Sequence, residues 1–254
     1  MRGKLIVFEG VEGSGKTSQL QRCSHWLETS GLLEKWGGID KKSQLTVTRE
    51  PGGTSLGLGL RKLLLEVGST PTPQAMPLAV LYPSGTPTAN ENPFGEREAT
   101  IADRAELLMY AADRAQHVEE LLKPQIELGA IILCDRYTDS TVAYQGYGRG
   151  LDLNLIEQLN HIATGGLQSD LTLWLDVEAE LGLKRARQRG SADRMELANL
   201  DFHRRVQQGF TQLAASYPQR IVRVDASKSQ DEVHERIQEI LRQRFREWGI
   251  VNGE

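Results

Sequence analysis

Leu5-Ile6-Val7-Phe8-Glu9-Gly10-Val11-Glu12-Gly13-Ser14-Gly15-Lys16-Thr17 decides the fold of this chain. Leu5–Phe8 reads as a short buried strand. Gly10 to Thr17 then matches the phosphate-binding pattern G-x-x-x-x-G-K-[ST] in every fixed position. Average residue frequencies produce that pattern by chance in about one chain in a hundred of this length, so its flanks carry weight. From Thr17 onward the sequence turns helical, with Leu20, Cys23 and Leu27 on one face. Strand, loop and helix in this order direct the backbone N–H groups of Gly10, Val11, Glu12, Gly13, Ser14 and Gly15 into the loop, at the positive end of the helix where phosphate oxygens sit. Lys16 then reaches the β- and γ-phosphates and the Thr17 hydroxyl ligates Mg2+. The expectation is a nucleoside triphosphate site.

Working outward, apolar strand-like runs recur at Leu45–Thr48, Ala130–Cys134, Leu171–Leu175 and Ile221–Val224. Helical periodicity fills the gaps, as with Val233, Ile237, Ile240 and Leu241 in the last helix. Strands alternating with helices predict an α/β fold, a parallel sheet with helices on both faces. Ligands of such sheets bind beyond the carboxyl ends of the strands. That rule points to Glu9–Thr17, Arg49–Thr54, Asp135–Tyr137, Asp176 and Asp225–Ser227. Six of the nine prolines crowd the stretch 68–100, which no regular element survives, so it reads as an insertion.

Composition narrows the class. At 254 residues, 39% hydrophobic and 25% charged, the chain reads as a single globular domain over 1–254. A net charge of -4 argues against a nucleic-acid partner. Cys23 and Cys134 fall on a helix and a buried strand, which favours free thiols in a reducing, cytoplasmic setting. Neither a signal peptide nor a bilayer-spanning apolar stretch is expected, and no membrane partner.

Several constellations face the predicted crevice. Thr48-Arg49-Glu50-Pro51-Gly52-Gly53-Thr54 follows the second strand; Arg49 would share the crevice with the phosphate loop, although alone the segment also reads as an ordinary tight turn. Asp135 and Arg136 end the third strand. Asp135 suits the Mg2+ sphere and Arg136 a phosphate, with Asp176 a competing metal candidate. Tyr110 and Arg114 lie four residues apart on one helix face, either a core aromatic beside a solvated arginine or a surface that stacks on a base. Between 184 and 194, Arg185, Arg187, Arg189 and Arg194 form a basic run in an acidic chain. Such a run is a solvated helix face or a lid closing over phosphates. A carboxylate at Glu12, inside a phosphate loop, must point outward, toward an acceptor.

Taken in order, these residues resemble the thymidylate kinase (dTMP kinase) family of bacterial type, in the nucleoside monophosphate kinase group of P-loop proteins. The resemblance rests on Phe8–Leu20, Thr48–Thr54, Asp135–Gly150 and Asp170–Arg194. It implies a five-stranded parallel sheet, a lid at 184–194, a homodimer, and transfer of the ATP γ-phosphoryl group to dTMP. It further implies that Lys16, Thr17 and the loop glycines hold ATP and Mg2+. Glu12 would approach the acceptor's 3'-hydroxyl, Arg49 and Arg136 would surround the dTMP phosphate, and Pro51 would lie against thymine. Tyr110 would stack on thymine with Arg114 at its O4 edge, Thr141 would read N3, and Tyr144 would fill the space of a 2'-hydroxyl beside Gln145. The lid arginines Arg187 and Arg189 would join Lys16 and Arg136 in catalysis, and Asp225-Ala226-Ser227 would lie beside the adenine. The rivals are another nucleotide or nucleoside kinase of this fold, and a nucleotide-dependent regulatory switch.

Overall fold

Five short apolar runs supply the frame: β1 (Lys4–Glu9), β2 (Leu45–Arg49), β3 (Ile131–Asp135), β4 (Leu171–Asp176) and β5 (Ile221–Asp225). The computed structural model describes residues 2–36, 44–66, 101–188, 190 and 194–249. The proline-rich segment expected at 68–100 and Arg189 of the basic run lie outside those residues. All the pairings are parallel, in the order β2-β3-β1-β4-β5, as the periodicity predicts.

β1 is the central strand because both its faces can be buried. Leu5, Ile6, Val7 and Phe8 are all fully buried, each contributing about 1.5–3 kcal/mol. Their alternation sends Ile6 and Phe8 into one hydrophobic cluster with Leu20, Leu173, Phe210 and Ile237. Leu5 and Val7 enter the other, with Val118, Leu122, Ile126 and Ile132. Each strand runs one residue further than its apolar run, so that Glu9, Arg49, Asp135, Asp176 and Asp225 close the strands at the carboxyl edge.

The helices are α1 (Lys16–Thr29), α2 (Leu32–Trp36), α3 (Ser55–Glu66), α4 (Asp103–His117), α5 (Lys123–Glu127), α6 (Thr138–Thr141), α7 (Leu153–Thr164), α8 (Ala179–Arg187), α9 (Leu200–Ser216) and α10 (Gln230–Glu247). Local chemistry fixes several starts. The Asp152 side chain caps α7, Asn199 caps α9, and Ser229 with Glu232 forms a capping box on α10, each worth about 1 kcal/mol. α1 differs, because Gly15 precedes it in a left-handed conformation and no side chain caps it. Its first N–H groups therefore face the phosphate loop. Two stretches wind as π-helix, Val118–Leu122 and Val142–Gly148, and the second carries Tyr144 and Gln145.

α8 is pressed onto the phosphate loop. A Cβ on Gly13 would stand 1.9 Å from the Gly182 carbonyl oxygen, and one on Gly182 would stand 2.4 Å from that of Glu12. Only glycine admits this approach, which brings the start of the basic segment against the loop.

Candidate active site

A cleft of about 370 Å³ opens at the carboxyl edge between β1 and β3, where the strand order reverses. Gly13, Gly15, Lys16 and Thr17 line one side. Arg49, Pro51, Tyr110, Arg114, Thr141, Tyr144 and Gln145 line the other, with Asp135, Arg136 and Glu12 between. The structure thus draws residues of four separate segments into one cavity, while Gly10, Val11, Ser14, Asp176 and Asp225–Ser227 are not among those lining it.

Lys16 is buried and donates to the carbonyl oxygens of Gly10 and Val11, both at 2.9 Å. Burial, reinforced by the charge of Arg136, brings its ammonium down to about 8. Thr17 donates its hydroxyl to Asp135 Oδ2 at 2.7 Å, so the two expected metal ligands adjoin. Asp176, the competing candidate, is placed elsewhere. Its carboxylate accepts from Gln207 Nε2 at 3.1 Å and from Arg223 Nε at 2.7 Å, outside the cleft.

Arg136 sits at the join between the phosphate loop and the end of β3. It pairs with Glu12 Oε1 and donates to Tyr144 Oη at 3.1 Å, Ser140 Oγ at 3.1 Å and the Gly10 carbonyl at 3.3 Å. The Tyr144 hydroxyl also donates to Glu12, at 2.9 Å. Glu12 therefore points away from the loop, as charge repulsion requires. Burial opposes its ionisation, but Arg136, Lys16 and the Tyr144 hydroxyl prevail and hold it down to about 2. Arg136 has a φ of 72°, a left-handed conformation that costs a non-glycine residue about 1–2 kcal/mol. Glu9 clamps the turn that imposes it. Its Oε1 accepts from the Tyr137 and Ser140 N–H groups at 2.8 and 3.1 Å, and its Oε2 from Ser140 Oγ at 2.5 Å. Burial and the nearby Asp139 push this carboxyl up to about 7.

Arg114 is neither solvated nor free to swing. Nε donates to Glu50 Oε2 at 2.8 Å, Nη1 to Thr141 Oγ1 at 2.9 Å and Asn160 Oδ1 at 2.7 Å, and Nη2 to the Tyr137 carbonyl at 3.0 Å. Four of its five donors are thereby committed, leaving one Nη2 hydrogen. Gln145 Nε2 donates to the buried Glu106 at 2.8 Å.

The basic run divides. Arg185 donates to the Ala226 and Ser227 carbonyls at 2.7 and 3.2 Å, pinning α8 to the loop after β5. Arg194 donates to the Leu64 carbonyl at 2.9 Å and pairs with Glu106. These two, read with the others as lid arginines, are anchors at the two ends of the run. Arg187 is exposed and is not among the residues lining the cleft. Sequence reasoning gave no role to Glu9 or Glu50, although both fall in stretches it pointed to, and missed Glu106, Asp113, His117 and Asn160; all six are buried polar groups, and Glu50 lines the cleft. It also missed Arg61, which lines the cleft and donates to the Pro51 carbonyl at 3.0 Å. A signal existed for α4: Glu106, Tyr110, Asp113, Arg114 and His117 repeat at helical spacing, a polar stripe on one face.

Known proteins resemble this chain throughout. The family model described as thymidylate kinase matches residues 83–237. A thymidylate kinase of Nostoc punctiforme is 56% identical over 243 residues, covering 95% of this chain and 97% of the relative. One of Trichodesmium erythraeum is 50% identical over 255 residues, covering 99% and 100%. The crystal structure of thymidylate kinase from Ehrlichia chaffeensis superimposes with a TM-score of 0.64 at 28% identity, covering 95% of this chain and 99% of that one.

Proposed function

The chain belongs to the thymidylate kinase family, and from that premise we propose how its cleft carries out ATP-dependent phosphorylation of dTMP to dTDP. One observation supports the reading above others: a phosphate loop and a second, arginine-bearing subsite share one cleft, joined by Arg136, Glu12 and Tyr144. A regulatory switch needs no second phosphate subsite.

The loop N–H groups and Lys16 take the ATP phosphates, and Arg49 and Arg136 take the phosphate of dTMP. The dTMP phosphate is largely ionised at neutral pH, its second pKa being about 6, so no general base has to remove a proton. A dTMP oxygen attacks the γ-phosphorus in line, the bond to the β-bridging oxygen breaks, and ADP leaves. The work of the protein is to hold two anions together and neutralise the charge between them. Lys16 and Arg136 do this from fixed positions, joined by Arg187 and Arg189 from the lid.

A divalent metal, Mg2+ on this reading, fits the site. The adjoining Thr17 hydroxyl and Asp135 carboxylate are hard oxygen donors. Among the described residues no cluster of three acidic, histidine or cysteine ligands exists, which suits a metal held largely by phosphates and water. Bound there, it would neutralise charge on the β- and γ-oxygens.

The base would lie between Pro51 and Tyr110. The remaining Nη2 hydrogen of Arg114 suits thymine O4, and the Thr141 oxygen suits N3–H. Tyr144 would fill the space of a ribose 2'-hydroxyl, and Gln145 would close the sugar side. Apolar stripes on α3 (Leu56 and Leu63), α4 (Leu108) and α7 (Leu155 and Ile162) remain exposed on three helices packed side by side. We take these as the face that joins two copies as a homodimer. Two buried free thiols accord with the reducing cytoplasm. Among the described residues no helix is long and apolar enough to cross a membrane.

A coupled assay of ADP release over the common monophosphates tests the reading. It expects turnover with dTMP far above the others. Slow turnover indifferent to any monophosphate would identify a switch instead.

A further inference from the structure

Four ionisable side chains lie buried together at the wall of the acceptor pocket: Glu50 at 3% exposure and Arg114 at 2%, both lining it, with Asp113 and His117 at 0% behind them. Burying that many charges seldom stabilises a fold more than apolar packing would. The arrangement is ordered. His117 Nδ1 meets Glu50 Oε1 at 2.8 Å, and His117 Nε2 meets Thr48 Oγ1 at 2.7 Å. A carboxylate only accepts, so Nδ1 carries a proton and donates it to Glu50. The other oxygen of Glu50 accepts from Arg114 Nε at 2.8 Å. A continuous chain therefore runs from Thr48, at the end of β2, through His117 and Glu50 to the arginine facing the pocket.

We infer that His117, held by Thr48 and acting through Glu50, is a positioning residue that fixes Arg114 for selection of the acceptor base. The inference rests on the reading of this pocket as the dTMP subsite. With four donors of Arg114 committed, the direction of the last Nη2 hydrogen is set by those bonds, and the Nε bond depends on how the Glu50 carboxylate is turned. His117 holds that carboxylate by its second oxygen. Glu50 is also bonded in sequence to Pro51, which lines the pocket, so one contact registers two walls. Gly53 shows how closely the ring is seated: a Cβ there would stand 2.6 Å from His117 Nε2. A fixed N–H donor distinguishes bases at C4, where thymine presents an oxygen acceptor and cytosine an amino donor. A donor free to turn away does so poorly.

The test compares wild type with His117→Phe, which keeps a ring but neither hydrogen bond, and with His117→Asn, whose amide can still donate to Glu50. Four quantities are measured: kcat, KM for ATP, KM for dTMP, and the inhibition constant of dCMP against dTMP. In His117→Phe the ratio of the dCMP inhibition constant to the dTMP KM falls roughly tenfold, the scale of one hydrogen bond to a charged group. Meanwhile kcat and KM for ATP stay within about twofold, and His117→Asn restores most of the ratio. An unchanged ratio in folded His117→Phe overturns the inference, as does an equal loss in kcat, in both KM values and in dCMP binding. If His117→Phe does not fold, Thr48→Val removes the outer end of the chain; there the ratio falls severalfold, and an unchanged ratio refutes the role. A wild type inert toward dTMP overturns the acceptor reading and this role with it, a result distinct from any failure in the variants alone.

Discussion

Replacing Arg136 by Met should unfold the site electrostatically before it empties it sterically, because Met keeps most of the stem. Glu12 and Arg136 form a pair whose side chains are only 14% and 18% exposed, so solvent screens little of their attraction. In the folded protein the Glu12 carboxyl falls from 4.5 to about 2, with Arg136 the largest of the groups that lower it. At about 1.36 kcal/mol per pH unit, that fall corresponds to about 3 kcal/mol in favour of the ionised form. Arg136→Met leaves a buried carboxylate without its ion-pair partner, bonded still by the Tyr144 hydroxyl, and should destabilise the protein by about 2–3 kcal/mol at pH 7. In a Glu12→Gln background the same substitution should cost less than about 1 kcal/mol, since no charge is stranded. The sign with pH follows from a depressed carboxyl pKa. Its contribution is present above 4.5 and is lost as pH falls through about 2, so wild type and Arg136→Met should converge over that range. Urea unfolding followed by tryptophan fluorescence measures all four corners of the cycle. An equal loss in both backgrounds would refute the pairing argument. Independently, kcat should fall about 10²–10³-fold, the usual cost of one preorganised donor.

Three further outcomes follow from the same geometry. Tyr144→Ala should relax discrimination between dTMP and ribothymidine monophosphate in kcat/KM, and an unchanged ratio would place sugar selection elsewhere. Arg187→Ala and Arg189→Ala, made separately, should lower kcat by about 10²–10³ at most while changing KM for dTMP little; normal kcat in both would mark the run as a solvated helix face. Glu9 carries a raised carboxyl pKa, so its neutral form stabilises the fold below 4.5 and that contribution is lost as pH rises through about 7. The stability of wild type relative to Glu9→Gln should therefore decline by about 3 kcal/mol between pH 4.5 and 7.5, and a flat difference would contradict the assigned burial.

The sheet was legible in the sequence because its signal is local. Leu5–Phe8 and Leu171–Leu175 are short apolar runs of strand length, and the glycine loop between strand and helix announces its ligand. The polar residue closing each strand could be read off the end of its apolar run, but its cross-strand partners could not, because the register depends on neighbours: Asp135 is paired with Phe8 on one side and Arg49 on the other. Helix α4 itself was legible, but the burial of its polar face was not, for a related reason. Glu106, Asp113 and His117 look solvated in isolation and are buried only because partners arrive from far along the chain, Arg194 and Glu50 among them. Arg114 shows the same limit. Its spacing to Tyr110 is visible, whereas the commitment of four donors is a tertiary fact. In the basic run, composition revealed four arginines but not that Arg185 and Arg194 are spent on carbonyls and on Glu106.

On the proposed function, Lys16 and the second phosphate subsite act on two substrates in one cleft. The most direct measurement is the fate of label from γ-³²P-ATP in the presence of dTMP, for wild type and for folded Lys16→Met. Wild type should move the label into dTDP in step with ADP formation, and Lys16→Met should do so at a small fraction of that rate. Label released as inorganic phosphate whether or not dTMP is present, or undiminished transfer by Lys16→Met, would contradict that function.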